Sequence, residues 1–180
     1  MTLEKFGSPE FFFQIRPENP DDIPEIRQVL EAAFGQPQEA SLVEALRQRR
    51  AVTLSLVAVH ENRIIGHLLF SPVTIKSPSG SLPAVGLGPV AVMPSCQKRG
   101  VGAALIRSGL TRCQQDGHRL AVVLGHPDYY TRFGFAPAAN FGLTCEFDVP
   151  PELFMTLELR PTALMGTSGV VLYPPEFHAV

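Results

Sequence analysis

Cysteine is scarce in this chain: Cys96, Cys113 and Cys145 are the only three among 180 residues, and no Cys-x-x-Cys pair occurs. An odd number without that spacing argues against a disulfide framework and against a zinc site, so no metal is expected. Cys113 falls on an apolar helix stripe and reads as a core filler. Cys96 precedes a turn into a helix, where a lowered thiol pKa is the alternative to an inert side chain. Long apolar runs are also missing. None reaches the ~18 residues of a membrane span, and the N-terminus has no basic stretch followed by an apolar one. A cytoplasmic protein without a membrane partner is expected. Nor is there an excess of charge of one sign. Fifteen Lys and Arg against 17 Asp and Glu leave a net charge of −2. A general nucleic-acid binder would carry a basic face, so no nucleic acid is expected as partner. What is present is apolar: hydrophobic residues make up 45% of the chain, enough to build a packed core. The length suits one domain over 1–180, with residues 1–10 as a poorly ordered lead-in.

Two familiar phosphate motifs are absent as well. No G-x-x-x-x-G-K-[ST] string exists. The dinucleotide fingerprint G-x-G-x-x-G fails because Gly100 and Gly102 are followed by Leu105 where a third glycine is needed. The stretch around those glycines nonetheless organises the chain. Val90 to Met93 reads as an apolar strand, Pro94 to Arg99 as a turn, and Gly100 onward as a helix to about Asp116. Glycines at such a junction let an anion approach the backbone. The first helical N–H groups lack intrahelical partners, and the helix dipole adds positive charge there. Lys98 and Arg99 stand beside this cradle. Just upstream, Gly88-Pro89 interrupts a strand of about Ala84 to Met93. Proline cannot donate to a ladder, so pairing is expected to bulge or stop there.

The rest of the chain alternates strands and helices. Phe11 to Ile15 reads as a strand. Ile23, Ile26, Val29, Leu30 and Ala33 fall at helical spacing behind Asp21 or Asp22 as cap, with Gly35 as stop. A second helix follows Pro37, with Leu42, Val43 and Leu46 on one face and Glu44, Arg47 and Arg50 toward water. Val52 to Val59 and Ile64 to Ile75 are strands. Ala103, Ile106, Leu110 and Cys113 form the inward stripe of the helix after the glycines. Arg119 to Leu124 is a buried strand, and a short helix carries Tyr129 and Tyr130. Short strands are expected within 141–147, 154–159 and 169–173.

Gln97-Lys98-Arg99-Gly100-Val101-Gly102 resembles the [QR]-x-x-G-x-[GA] acetyl-coenzyme A segment of the GNAT superfamily of N-acetyltransferases. Tyr129-Tyr130-Thr131-Arg132-Phe133-Gly134-Phe135 is similar to that superfamily's aromatic-Tyr-x-x-x-Gly-Phe segment. The order is right, with one helix and one strand between the two. The resemblance implies an α/β GNAT fold: a mixed, mostly antiparallel sheet splayed between strands 4 and 5, with helices on both faces. It implies direct transfer of acetyl from acetyl-CoA to a primary amine of a small molecule or a protein. A non-catalytic acyl-CoA sensor on the same fold is the alternative, and a homodimer is one option for assembly.

By the same resemblance, Gln97, Lys98, Arg99, Gly100, Val101, Gly102 and Ala103 would hold the pyrophosphate. Val90, Ala91 and Val92 would hold the pantetheine arm, with the Val90 amide as donor to the thioester carbonyl. Tyr130 aligns with the tyrosine that protonates the departing thiolate. Packing at the pocket rim is its structural alternative. Tyr129 is the weaker candidate. The asparagine usual in the family seven residues before that tyrosine is replaced by Val123, so its cofactor contact passes to another group, with His126 as candidate. Glu39 is either a first-turn carboxylate favoured by the helix dipole or a carboxylate for the acceptor amine. His67 is either a structural imidazole or an acceptor-site contact. The general base stays open among His126, Asp128, His67, Glu39 and a water chain.

Overall fold

The computed structural model describes residues 5–8 and 11–179, with side chains from Phe11 onward. Of the expected lead-in, residues 1–4, 9 and 10 lie outside the described residues. Residues 5–8 do not follow that expectation, because they form a strand. The chain divides into two compact units. One comprises Met1–Phe70, Pro89–Gly109 and Glu176–Val180; the other comprises Ser71–Gly88 and Leu110–Pro175.

In the first unit, β1 (Lys5–Ser8) pairs antiparallel with β2 (Phe11–Pro17). β2 pairs antiparallel with β3 (Leu54–His60), and β3 with β4 (Arg63–Ser77). β5 (Gly80–Val92) is the next neighbour of β4. Phe11, Phe13 and Ile15 alternate inward along β2, the period of a strand with one buried face. Two helices follow β2. α1 (Ile23–Phe34) closes on Gly35, whose φ of +71° is the left-handed conformation that glycine adopts without strain. Asp22 precedes α1 but does not cap it with its side chain; its carboxylate takes two bonds from Arg16, at 2.6 and 2.9 Å. α2 (Gln38–Gln48) follows Pro37.

Both faces of this part of the sheet are covered by helices. Ile26, Val29 and Leu30 of α1 and Val43 and Leu46 of α2 pack with Val57, Leu69 and Ala91. The neighbouring β4 residues point the other way, against α3 (Val101–Gln115). A Cβ on Gly66 would lie 3.0 Å from Leu105 and 3.1 Å from Val101, and one on Gly109 would lie 2.7 Å from the Phe70 ring. Glycines on strand and helix thus let α3 lie close to β4. The expected inward stripe of α3 holds at Ile106, Leu110 and Cys113, whereas Ala103 is only half-buried.

In the second unit, β5 runs parallel to β6 (Leu120–Leu124), with Val85, Gly86 and Leu87 opposite Ala121, Val122 and Val123. β6 is antiparallel to β9 (Phe154–Glu158), which also takes the two-residue β7 (Ala136–Pro137). β10 (Gly169–Leu172) is antiparallel to the end of β4 and parallel to β8 (Leu143–Cys145). α4 (Pro127–Tyr130) is a single turn that runs into a 3-10 turn ending at Gly134, with φ +93°. The strand pair expected to splay, counted fourth and fifth, is β5 and β6 here because β1 adds a strand at the start. No described helix is long and apolar enough to cross a membrane.

Candidate active site

The ladder between β5 and β6 ends at Leu87, yet β5 continues to Val92. The two residues at the break account for this. Gly88 takes φ +142°, a conformation other residues rarely adopt, and Pro89 has no N–H to donate. Beyond them, the Met93 N–H donates to the Ile65 carbonyl on β4 at 2.9 Å. Strand alternation then turns the Ala91 N–H toward β4 and the N–H groups of Val90 and Val92 toward the opposite edge. The Val92 carbonyl, on that same edge, accepts a bond of 3.1 Å from Gln97 Nε2. Gln97 therefore spends its side-chain amide on clipping the turn to the end of β5.

Between strand and helix the chain makes a 3-10 turn over Pro94–Cys96 and then two left-handed residues, Lys98 at φ +60° and Gly100 at +83°. The first N–H bonded to a carbonyl four residues back is that of Ala104, 2.9 Å from the carbonyl of Gly100, which immediately precedes α3. The amides of Val101, Gly102 and Ala103 come before it and have no carbonyl four residues back within α3. A Cβ on Gly100 would meet nothing within 4 Å, so the space beside this turn is open, while Val101 is buried and Gly102 and Ala103 are half-buried. Open space beside the turn, amides ahead of the helical ladder and the positive end of a 15-residue helix suit an anion. Lys98 is exposed beside them. Arg99 places its guanidinium 4.7 Å above the Phe11 ring, which holds that charge near the turn.

Of the two acceptor-side candidates in this unit, Glu39 sits in the first turn of α2 and receives Gln36 Nε2 on both oxygens, at 3.0 and 3.1 Å. His67 is wholly buried on β4, at 0% exposure. Its Nε2 lies 2.9 Å from Ser55 Oγ.

Ser55 belongs to a cluster that periodicity did not reveal. Glu18 accepts from Arg47 Nε at 2.9 Å, from the Arg47 Nη2 at 2.7 Å, and from Ser55 Oγ at 2.5 Å. Arg47 was expected to face water; instead its side chain is 16% exposed and bound to Glu18. Burial pushes the Glu18 carboxyl up, but His67, Arg47 and Ser55 outweigh it and hold Glu18 well below the usual carboxylate range. His67 Nε2 is 3.6 Å from Glu18, beyond a hydrogen bond, so Ser55 is the link between them.

The protons in this cluster follow from the donors available. Glu18, ionised between two Arg47 bonds, can only accept, so the single Ser55 hydrogen goes to it. Ser55 Oγ then accepts from His67 Nε2–H, and His67 Nδ1 carries a lone pair. That buried Nδ1 has no hydrogen-bond partner among the described residues. Burial, the largest cause, lowers the His67 pKa; nearby Glu18 opposes this, and Arg47 adds to it. No short-range sequence signal marks Glu18, which follows the last residue of β2.

The tyrosine pair lies in the second unit. The Tyr129 and Tyr130 amides both bond to the His126 carbonyl, at 3.0 and 3.2 Å. His126 thus opens α4 through its main chain, while its side chain is exposed. Tyr129 meets Tyr130 edge-on at 5.1 Å and carries Arg132 4.5 Å over its face. Tyr130 also meets Phe133 at 6.4 Å and Phe135 at 5.9 Å. Burial first, then Tyr129, pushes the Tyr130 phenol up to about 12, so it keeps its proton at neutral pH. Asp128 is exposed at the start of α4. Val123, in the place of the asparagine usual in the family, is buried in β6 opposite Leu87 and Met155. Among the described residues no group of three or more His, Cys, Asp or Glu is placed to hold a metal ion.

Known proteins share this architecture. The model of the acetyltransferase (GNAT) domain matches residues 14–138. The uncharacterised N-acetyltransferase YhbS of Escherichia coli K12 is 36% identical over 165 residues, covering 91% of this chain and 98% of its own. The crystal structure of Escherichia coli YhbS in complex with CoA superposes with a TM-score of 0.87 at 34% identity, over 99% of this chain and 94% of that one. A GNAT acetyltransferase from Brucella melitensis, solved with acetyl-CoA, gives a TM-score of 0.76 at 39% identity, over 92% and 97% of the two chains. With the domain model covering most of its length and such relatives matched nearly end to end, this chain belongs to the GNAT family of acetyltransferases.

Proposed function

We propose that the chain transfers the acetyl group of acetyl-CoA directly to a primary amine, of a small molecule or of a protein, in a ternary complex. The observation that carries this reading is the run of outward amides at the end of β5 and the start of α3, beside an open approach over Gly100. The YhbS and Brucella relatives, solved with CoA and acetyl-CoA, support the choice of ligand.

Each residue then has a part. Val101, Gly102 and Ala103 donate their amides to the diphosphate, Gly100 keeps the approach open, and Lys98 and Arg99 add charge. Gln97 holds the turn in shape through Val92. The edge of β5 at Val90, Ala91 and Val92 lies along the pantetheine arm. The Val90 N–H is aimed at the thioester oxygen, where negative charge develops; a donor so placed is worth about 3–4 kcal/mol of barrier. His126 and Tyr129 complete the cofactor side. Acetyl-CoA supplies an activated thioester. A C–N bond forms to the amine nitrogen as the C–S bond breaks, Tyr130 gives its proton to the sulfur, and the surplus amine proton leaves to a base. Glu39 favours a cationic acceptor arriving near α2, whereas His67, at 0% exposure and bonded to Ser55, is left to a structural part.

The test is release of CoA from acetyl-CoA over a panel of amines: spermidine, a lysyl peptide and a peptide with a free N-terminal alanine. At least one is expected to turn over, with Tyr130→Phe lowering kcat about 100-fold while the KM for acetyl-CoA stays within twofold. Full turnover by Tyr130→Phe would remove Tyr130 as the acid. Binding of CoA without release for any primary amine would remove the transferase.

A further inference from the structure

A glycine usually marks a left-handed backbone or a tight approach. Gly134 and Gly142, in the same part of the chain, are of the first kind, with φ of +93° and +71°. Gly125 is not. Its φ lies outside the left-handed region, so its backbone is one that any residue adopts. Its N–H is fixed by a 2.8 Å bond to the Leu153 carbonyl, so the main chain there is anchored. What glycine provides at this position is space. A Cβ would lie 2.1 Å from Tyr130 Cε2, 2.7 Å from Cδ2 and 3.2 Å from Cζ, and these three nearest atoms all belong to one ring. Among aromatic side chains, Tyr129, Phe133 and Phe135 meet the ring. The phenol is thus seated against three rings, with bare backbone on a further side.

We propose that Gly125 is a positioning residue for Tyr130: the side chain it lacks is what lets the phenol lie against the backbone, with its hydroxyl held in one direction for proton donation. This rests on the reading of Tyr130 as the acid that protonates the departing thiolate. Gly125 acts through the ring, whose atoms are the nearest to its Cβ position. A methyl group at this position displaces the ring by more than an ångström, and a misplacement of about 1 Å in a catalytic group costs on the order of 100-fold in rate. The seat is also what keeps the phenol out of water, so a displaced ring ionises more like a free tyrosine.

The experiment compares Gly125→Ala in two backgrounds, wild type and Tyr130→Phe, by CoA release with the probe amines and by absorbance titration of the phenols. In the wild-type background, Gly125→Ala is expected to lower kcat roughly 100-fold with little change in the KM for acetyl-CoA. The Tyr130 phenol, read as the difference from the Tyr130→Phe background, titrates lower, toward the ordinary value near 10. In the Tyr130→Phe background the same substitution costs no further activity, because no hydroxyl remains to misplace. An equal loss in both backgrounds, or an unmoved titration, overturns the proposal. Full activity of Tyr130→Phe alone would instead sink the acid reading, while the titration still decides the seat. If Gly125→Ala does not fold, Gly125→Ala/Tyr130→Ala decides: recovered folding supports the contact, and a chain that stays unfolded refutes it.

Discussion

At the scale of single residues, the Glu18 cluster shows how a buried charge is kept. A carboxylate taken from water is costly unless donors surround it, and Glu18 has three, two of them from one Arg47 fork. Removing the charge leaves Arg47 half-enclosed without its partner. Glu18→Gln is therefore expected to lower the unfolding free energy by about 2–3 kcal/mol, somewhat less than the ~3–5 of a fully buried pair because both side chains keep some contact with water. Chemical denaturation measures it. A loss below about 0.5 kcal/mol would mean that the cluster is an ordinary surface pair.

At the scale of elements, α3 has two demands placed on it: under the proposed function its first turn presents amides to an anion, and its flank lies close to β4. Gly109 serves the second. On helix propensity alone, Gly→Ala within a helix stabilises by roughly 1 kcal/mol. Here the added methyl would lie 2.7 Å from the ring of Phe70, a side chain wholly buried and unable to swing away. Overpacking of this kind costs about 1–3 kcal/mol, so Gly109→Ala is expected to destabilise. The sign decides: a higher thermal midpoint for Gly109→Ala would show that the approach of α3 to β4 is loose. Tilting α3 would also disturb the anion cradle, so the same variant is expected to bind CoA more weakly.

At the scale of the whole molecule, stability as a function of pH sums these local environments. His67 has a lowered pKa in the folded chain and about 6.5 when unfolded. Between those values the unfolded chain binds more protons, so stability falls as pH drops below about 6.5. Glu18 is also lowered; its contribution is full above the unfolded value of about 4.3 and is lost as pH falls toward the folded one. Two descending limbs are expected in urea midpoints taken from pH 7 to pH 3. His67→Gln should flatten the upper limb and Glu18→Gln the lower, and a profile unchanged by either would contradict the tautomer and charge assigned here.

The same contrast of scales explains what was legible in the sequence. The strand, turn and helix around Gly100 are contiguous, so spacing alone located them, and the break at Gly88-Pro89 announced where the β5–β6 ladder ends. The Glu18 cluster joins residues 29 and 37 positions apart, and helical periodicity placed Arg47 on the polar side. Nothing in the sequence marks Gly125, because the ring that fills its place comes against it only when the chain folds. β1 was hidden in a segment whose composition reads as a lead-in.

We propose that amides at the end of β5 and the start of α3 hold the diphosphate and pantetheine of a CoA thioester. Calorimetric titration of acetyl-CoA into the intact chain tests it most directly. One site of micromolar affinity is expected, and Gly100→Trp, which fills the open approach, should abolish the heat while leaving the unfolding midpoint within a few degrees. Absence of binding by the wild-type chain, or undiminished binding by Gly100→Trp, would contradict the account.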